Sequence, residues 1–189
     1  MTDAPSRLGP LQDPDSDPLL KELFDETRSQ RGRVLNLHLT QGHAPEISYA
    51  QRHVIRAIRT KTLAPQSLIE LGILRAAQIC GCDYEYVQHI PLSMKAGLTR
   101  AQVDAVEHWR ESKVYDERQR AVLAWVEAMC VNLGEVDDAV FAEMQRHFSS
   151  QEILEITFTA CLYFGTGVMM KALRIKLEPE SLAAAEALR

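Results

Sequence analysis

A long stretch without proline is the feature that most constrains how this 189-residue chain can fold. No proline occurs between Leu92 and Glu178, so long helices are allowed there. Four of the eight prolines instead lie within the first eighteen residues, among Asp and Ser. This distribution predicts a flexible N-terminal leader over residues 1–16, a helical domain over 17–179 and a C-terminal tail over 180–189.

Signals for helix starts recur along the chain. Asp17-Pro18 is typical of an N-cap followed by proline at the first helical position, and Gly32 is a stop signal. Pro45 and Pro65 indicate two further starts. The capping-box spacing occurs in three places, at Thr99 with Gln102, Asp116 with Gln119, and Ser149 with Glu152. No segment pair has hairpin chemistry, so the sequence predicts an all-α, single-domain bundle of about eight or nine helices.

The segment from Glu152 to Lys171 is apolar on most sides, which predicts a buried central helix. Its uncharged part, Ile156 to Met170, is shorter than the ~20 residues that a membrane span needs. The Gly165-Thr166-Gly167 triplet would allow a neighbouring element to approach closely or would bend the helix.

Charge and cysteine usage narrow the range of partners. A net charge of −5 and a pI near 5.7 argue against nucleic acid and anionic membranes as binding partners.

The N-terminus has no apolar run typical of a signal peptide, so we expect a cytoplasmic protein with reduced cysteines. Cys130 and Cys161 lie in apolar segments and are expected to be inert core residues. Cys80 is more typical of a small buried residue than of a resolving thiol.

The candidate site is the segment from Pro65 to Gly97. Glu70 lies in a helix that is apolar on nearly every side, so its carboxylate needs a partner or a proton. Gly81 ends this helix. On the next helix Cys82, Glu85 and His89 are spaced i, i+3, i+7 and project from one face. Tyr86 flanks them and is a candidate substrate-binding residue.

These residue types suit a thiol combined with an acid/base system. A cysteine at a helix N-terminus is expected to have a lowered pKa. Glu85 can orient the His89 ring and raise its basicity, and Glu70 could reach the same ring. A solvated Glu85–His89 pair, or Glu70 paired with Arg56, Arg59 or Arg75, are the simpler interpretations. A zinc site matches no common ligand spacing, so we expect no metal and no cofactor.

The pattern Glu70-x11-Cys82-x2-Glu85-x3-His89, followed by Pro91-Leu92 and Lys95-Ala96-Gly97-Leu98, resembles the carboxymuconolactone decarboxylase family. Its superfamily includes the alkyl hydroperoxidase D proteins. The resemblance extends from about Leu35 to Pro179. It implies a helical fold, a small-molecule substrate and self-association of the chain into a homo-oligomer.

Within this superfamily the resemblance implies two chemistries. Alkyl hydroperoxidase D proteins carry Cys-x-x-Cys-x3-His with an upstream glutamate in a proton relay. Glu70, Cys82 and His89 match that pattern, whereas Glu85 stands where the second, peroxide-reactive cysteine would be. The decarboxylase branch carries a Glu-x3-His pair and requires no cysteine. This chain resembles that branch through Glu85 and His89.

Three functional hypotheses follow. The first is an acid/base enzyme in which His89, tuned by Glu85 and Glu70, acts on a small organic acid or lactone. The second is a peroxidase in which Cys82 forms a sulfenate that Cys80 or an external thiol resolves. A disulfide across one intervening residue would be strained and easily reduced. The third is a non-catalytic helical oligomer with a vestigial site.

Overall fold

A computed structural model describes residues 4–13, 15 and 17–186 of the chain. This part contains ten helices and no strand, which confirms the predicted all-α class. In chain order the helices are α1 (Pro18–Arg31), α2 (Asn36–Gln41), α3 (Pro45–Lys61), α4 (Gln66–Ile79), α5 (Asp83–Lys95), α6 (Arg100–Asp104), α7 (Glu117–Val131), α8 (Asp138–His147), α9 (Ser150–Leu173) and α10 (Pro179–Glu186). The count exceeds the eight or nine predicted; α2 and α6 are short, and α10 opens the predicted tail.

Capping chemistry places the helix starts where the sequence predicts them. The Asp17 carboxylate accepts hydrogen bonds from the backbone N–H groups of Leu19 and Leu20, at 2.8 and 3.3 Å. The Thr99–Gln102 and Asp116–Gln119 pairs form complete capping boxes at α6 and α7. Each box satisfies backbone donors that the first helical turn leaves free.

Contacts divide the chain into two compact units. The first comprises the described parts of Met1–Lys61 and Met170–Arg189. In it α3 packs against α1 and α2, and Leu20, Leu23 and Phe24 form a small core. The predicted leader falls in this unit, partly outside the described residues; its Arg7 N–H donates to the Leu173 carbonyl at 2.9 Å. The boundaries of leader, domain and tail stay predictions.

The second unit, Thr62–Met169, contains the candidate site. Its central helix is α4, which packs against α5 and α7 and is buried at every position from Leu68 to Ala77. Burial of this helix on all sides explains why its sequence is apolar around the whole circumference.

The prediction that the helix over Glu152–Lys171 is the buried central element is wrong. Helix α9 leaves Leu154, Phe158 and Val168 exposed, at 67%, 51% and 47% of their surface. Cys161 is also exposed, which contradicts its predicted core position. Among the residues that the structure describes, α9 is the one helix long and apolar enough to cross a bilayer, and core helices of soluble proteins share this property.

Candidate active site

A tight turn between α4 and α5 brings the candidate residues together. Gly81 has a φ of +63°, a left-handed conformation that glycine adopts without steric cost. The Cys82 N–H donates to the Ala77 carbonyl at 2.9 Å, and Cys82 then serves as the N-cap residue of α5. The turn folds α5 back against α4, so residues from both helices can meet in the interior.

The imidazole of His89 lies between two buried carboxylates. Its Nδ1 donates to Oε2 of Glu70 at 2.6 Å, and its Nε2 lies 3.3 Å from Oε1 of Glu85. All three residues are less than 5% exposed, so the Glu85–His89 pair is not solvated. Arg75 pairs with Glu127, not with Glu70. The structure therefore gives Glu70 a histidine as its partner.

The two carboxylates hold a proton on His89. Burial lowers the pKa of His89, but the charge and hydrogen bond of Glu70, together with Glu85, outweigh it and raise the pKa to about 9. His89 is therefore an imidazolium at neutral pH, hydrogen-bonded on one ring nitrogen and ion-paired on the other. In this state it can donate a proton to a bound molecule.

The two cysteines of the turn are in contact. Cys82 is buried, and a hydrogen bond to the Cys80 side chain and burial both raise the pKa of its thiol. The Glu85 backbone N–H favours the thiolate, but it does not outweigh these effects. The predicted lowering of the Cys82 pKa is therefore wrong. Cys80 is half-buried, and its thiol faces Cys82 instead of packing as an isolated apolar residue.

Helix α9 completes the site with two residues that the sequence did not single out for chemistry. The ring of Tyr163 meets the His89 ring edge to face, with centroids 4.9 Å apart. The backbone at Gly167 lies directly against the Cys80 and Cys82 side chains. The glycine triplet was the available signal for such a close approach. Tyr163 had none, because it is one of many apolar positions on α9.

The remaining candidates have structural surroundings. The Tyr86 hydroxyl donates to the Val103 carbonyl at 2.6 Å and holds α5 against α6, and burial raises its pKa. Its predicted role in substrate binding stays a prediction. Cys130 is buried, as expected. Among the described residues no group of three His, Cys, Asp or Glu side chains is arranged to hold a metal ion.

Sequence comparisons relate this chain to known proteins. The model of the carboxymuconolactone decarboxylase family matches residues 45–128. The uncharacterized protein YnjA of Escherichia coli strain K12 is 30% identical over 132 residues, which cover 69% of this chain and 72% of YnjA. YnjA and this chain are thus related over most of their lengths.

Two solved structures share the fold. A variant of the debrominase Bmp8, in complex with 2,3,4-tribromopyrrole, superposes with a TM-score of 0.85 at 21% identity, covering 100% of both chains. An uncharacterized peroxidase-related protein from Ralstonia eutropha JMP134, described as an alkylhydroperoxidase AhpD core, has a TM-score of 0.75 at 19% identity and covers 92% of this chain and 94% of its own. With its helical fold and its sequence matches, this chain belongs to the carboxymuconolactone decarboxylase family.

Proposed function

We propose that this protein is a thiol-dependent reductase of small electrophilic molecules, such as hydroperoxides or halogenated rings. One observation carries the proposal: the sulfurs of Cys80 and Cys82 both lie within 4 Å of the Cβ position of Gly167, and their side chains are hydrogen-bonded close to the buried Glu85–His89–Glu70 relay. Two adjacent thiols can supply two electrons by forming a disulfide, and the imidazolium supplies a proton.

The similar structures support this class of reaction. One is a debrominase bound to a brominated pyrrole and the other is described as peroxidase-related. Replacing a C–Br bond by C–H and splitting an O–O bond into two O–H groups both require two electrons and protons. A dithiol with a proton donor meets that shared requirement.

With a hydroperoxide, the reaction begins when Glu85 accepts the proton of the Cys82 thiol, whose raised pKa otherwise keeps it protonated. The Cys82 sulfur attacks the terminal peroxide oxygen and the O–O bond breaks. The departing alkoxide takes a proton from His89, and the proton on Glu85 restores the imidazolium. Cys80 then attacks the sulfenic acid on Cys82, so that the S–S bond forms and water leaves. An external thiol reduces the disulfide.

The test is the consumption of tert-butyl hydroperoxide and of 2,3,4-tribromopyrrole in the presence of excess thiol. Cys82→Ser should abolish turnover, and His89→Gln should lower it about 100-fold, since a positioned acid/base contributes about that much. Cys161→Ser is the matched control, because Cys161 is exposed and lies outside the relay. Full turnover by Cys82→Ser would overturn the proposal.

One observation favours a second function, the decarboxylation of a small organic acid or lactone. Because the pKa of His89 is raised to about 9, its imidazolium could protonate a developing carbanion or enolate without any thiol. This function predicts that Cys82→Ser keeps its activity on such a substrate while His89→Gln loses it. The two variants therefore separate the two candidate functions.

A further inference from the structure

We propose that Gly167 is a positioning residue that makes Cys80 the resolving partner of Cys82; this inference rests on the thiol-dependent function. A Cβ atom at Gly167 would lie 2.7 Å from the Cys80 sulfur and 3.2 Å from the Cys82 Cβ. Real Cβ atoms do not approach a sulfur that closely. The backbone of α9 therefore leaves room at the cysteine turn only for a hydrogen atom.

The requirement is specific to this position on the helix. Gly165 lies two residues earlier on α9, and a Cβ there would meet no atom within 4 Å. Glycine in a helix interior is unfavourable relative to alanine, so α9 has no reason of its own to prefer it. The Cys80-Gly81-Cys82 turn supplies the reason at Gly167 and not at Gly165.

The position of each cysteine decides which one would move. The Cys82 Cβ is attached to the backbone at the buried start of α5 and moves only with that helix. The Cys80 sulfur is at the end of a rotatable side chain, where its thiol contacts the Ala77 carbonyl at 3.3 Å and the Cys82 side chain. A methyl group at position 167 would therefore turn the Cys80 sulfur away, whereas Cys82 would have to shift by only a few tenths of an ångström.

The chemical consequence follows from the order of the steps. The attack of Cys82 on a hydroperoxide forms no bond to Cys80, so the first oxidation should still proceed. The next step, in which Cys80 forms the S–S bond and water leaves, would have no attacking sulfur within reach. A second hydroperoxide would then oxidise the sulfenic acid to sulfinic acid, which thiols do not reverse.

The test uses Gly167→Ala, with Gly165→Ala as the matched control. Each reduced protein is treated with a small excess of tert-butyl hydroperoxide without added thiol, and the intact mass is then measured. The wild type and Gly165→Ala should lose two hydrogen atoms as the disulfide forms. Gly167→Ala should still consume a first equivalent of hydroperoxide, but it should gain oxygen atoms on Cys82 instead of forming the disulfide. Disulfide formation in Gly167→Ala as complete as in the wild type would overturn the inference.

A peroxide-free oxidation separates this inference from the proposed function. If the wild type does not consume hydroperoxide, the peroxidase reaction is refuted, but diamide still reports whether Cys80 and Cys82 can pair. Diamide should form the disulfide in the wild type and in Gly165→Ala and not in Gly167→Ala. Equal pairing in all three proteins would refute the role of Gly167.

A double-mutant cycle keeps the inference testable if Gly167→Ala folds poorly. Because the closest contact of the added Cβ is the Cys80 sulfur, Cys80→Ala removes the atom with which it clashes. The double variant should therefore recover most of the loss in melting temperature that Gly167→Ala causes alone. Additive losses in the double variant would contradict the inference.

Discussion

The two faces of α9 differ in what they contact, although both are apolar. One face carries Ile156, Thr159 and Tyr163, each at most 6% exposed, and it meets His89 through the Tyr163 ring. The other carries Leu154 and Phe158, which are exposed over half or more of their surface. The comparison teaches that apolar composition does not by itself define burial. The surrounding helices decide which apolar face becomes core and which stays open.

The largest expected difference between the faces is in packing energy. Ile156→Ala should lower the free energy of unfolding by about 2–5 kcal/mol, because Ile156 is 2% exposed and its truncation leaves a cavity. Leu154→Ala, at 67% exposure, should change it by less than about 0.5 kcal/mol. Denaturant unfolding of both variants measures the difference.

A loss for Leu154→Ala that grows with protein concentration would contradict this comparison. It would mean that the exposed face is covered in solution, and it would support the self-association that the family resemblance implies. Sedimentation of the wild type and of Phe158→Lys over a range of concentrations would then identify the face involved.

The second-largest effect comes from the positive charge on His89. The buried face of α9 covers the His89 ring through Tyr163. The folded pKa of His89, about 9, is above the ordinary value of 6.5. The interactions of the imidazolium with Glu70 and Glu85 therefore stabilise the fold fully below pH 6.5. This stabilisation is lost as the pH rises through 9. The pKa difference corresponds to a contribution on the order of 3 kcal/mol. Unfolding free energies at pH 6.5 and pH 10 should show this loss.

His89→Gln is the control for the pH effect. Glutamine has about the same polarity but does not titrate, so the variant should lose the dependence on pH between these values. An unchanged pH dependence in His89→Gln would assign the effect to another group.

The smallest effect concerns two threonines of α9. Thr159 is buried, and its hydroxyl has no hydrogen-bond partner among the described residues. Thr157 instead donates to the Ile153 carbonyl at 2.6 Å and accepts from the Trp125 indole at 2.9 Å. Thr159→Val should raise the free energy of unfolding by about 1 kcal/mol, and Thr157→Val should lower it by a similar amount. Thermal unfolding distinguishes the two signs. Destabilisation by Thr159→Val would show that its hydroxyl has a bonding partner in solution.

Much of the fold was predictable because helix starts depend on local chemistry. The Asp17 cap and the Thr99 and Asp116 capping boxes need only side chains within three residues of each other. The spacing of Glu85 and His89 likewise follows from helix geometry. The apolar surroundings of Glu70 identified it as a candidate. The sequence left undecided whether its partner is His89 or one of three arginines. Only packing of α4 against α5 decided in favour of His89.

The sequence by itself therefore determined the all-α class, the capped helix starts and the set of candidate residues for chemistry. Tertiary structure decided the burial of α4 in place of α9, the contact between Cys80 and Cys82, and the approach of Tyr163 and Gly167. It also reversed the expected direction of the Cys82 pKa. Local capping and periodicity act over a few residues, whereas burial and charge pairing depend on which segments meet, and those segments are distant in the chain.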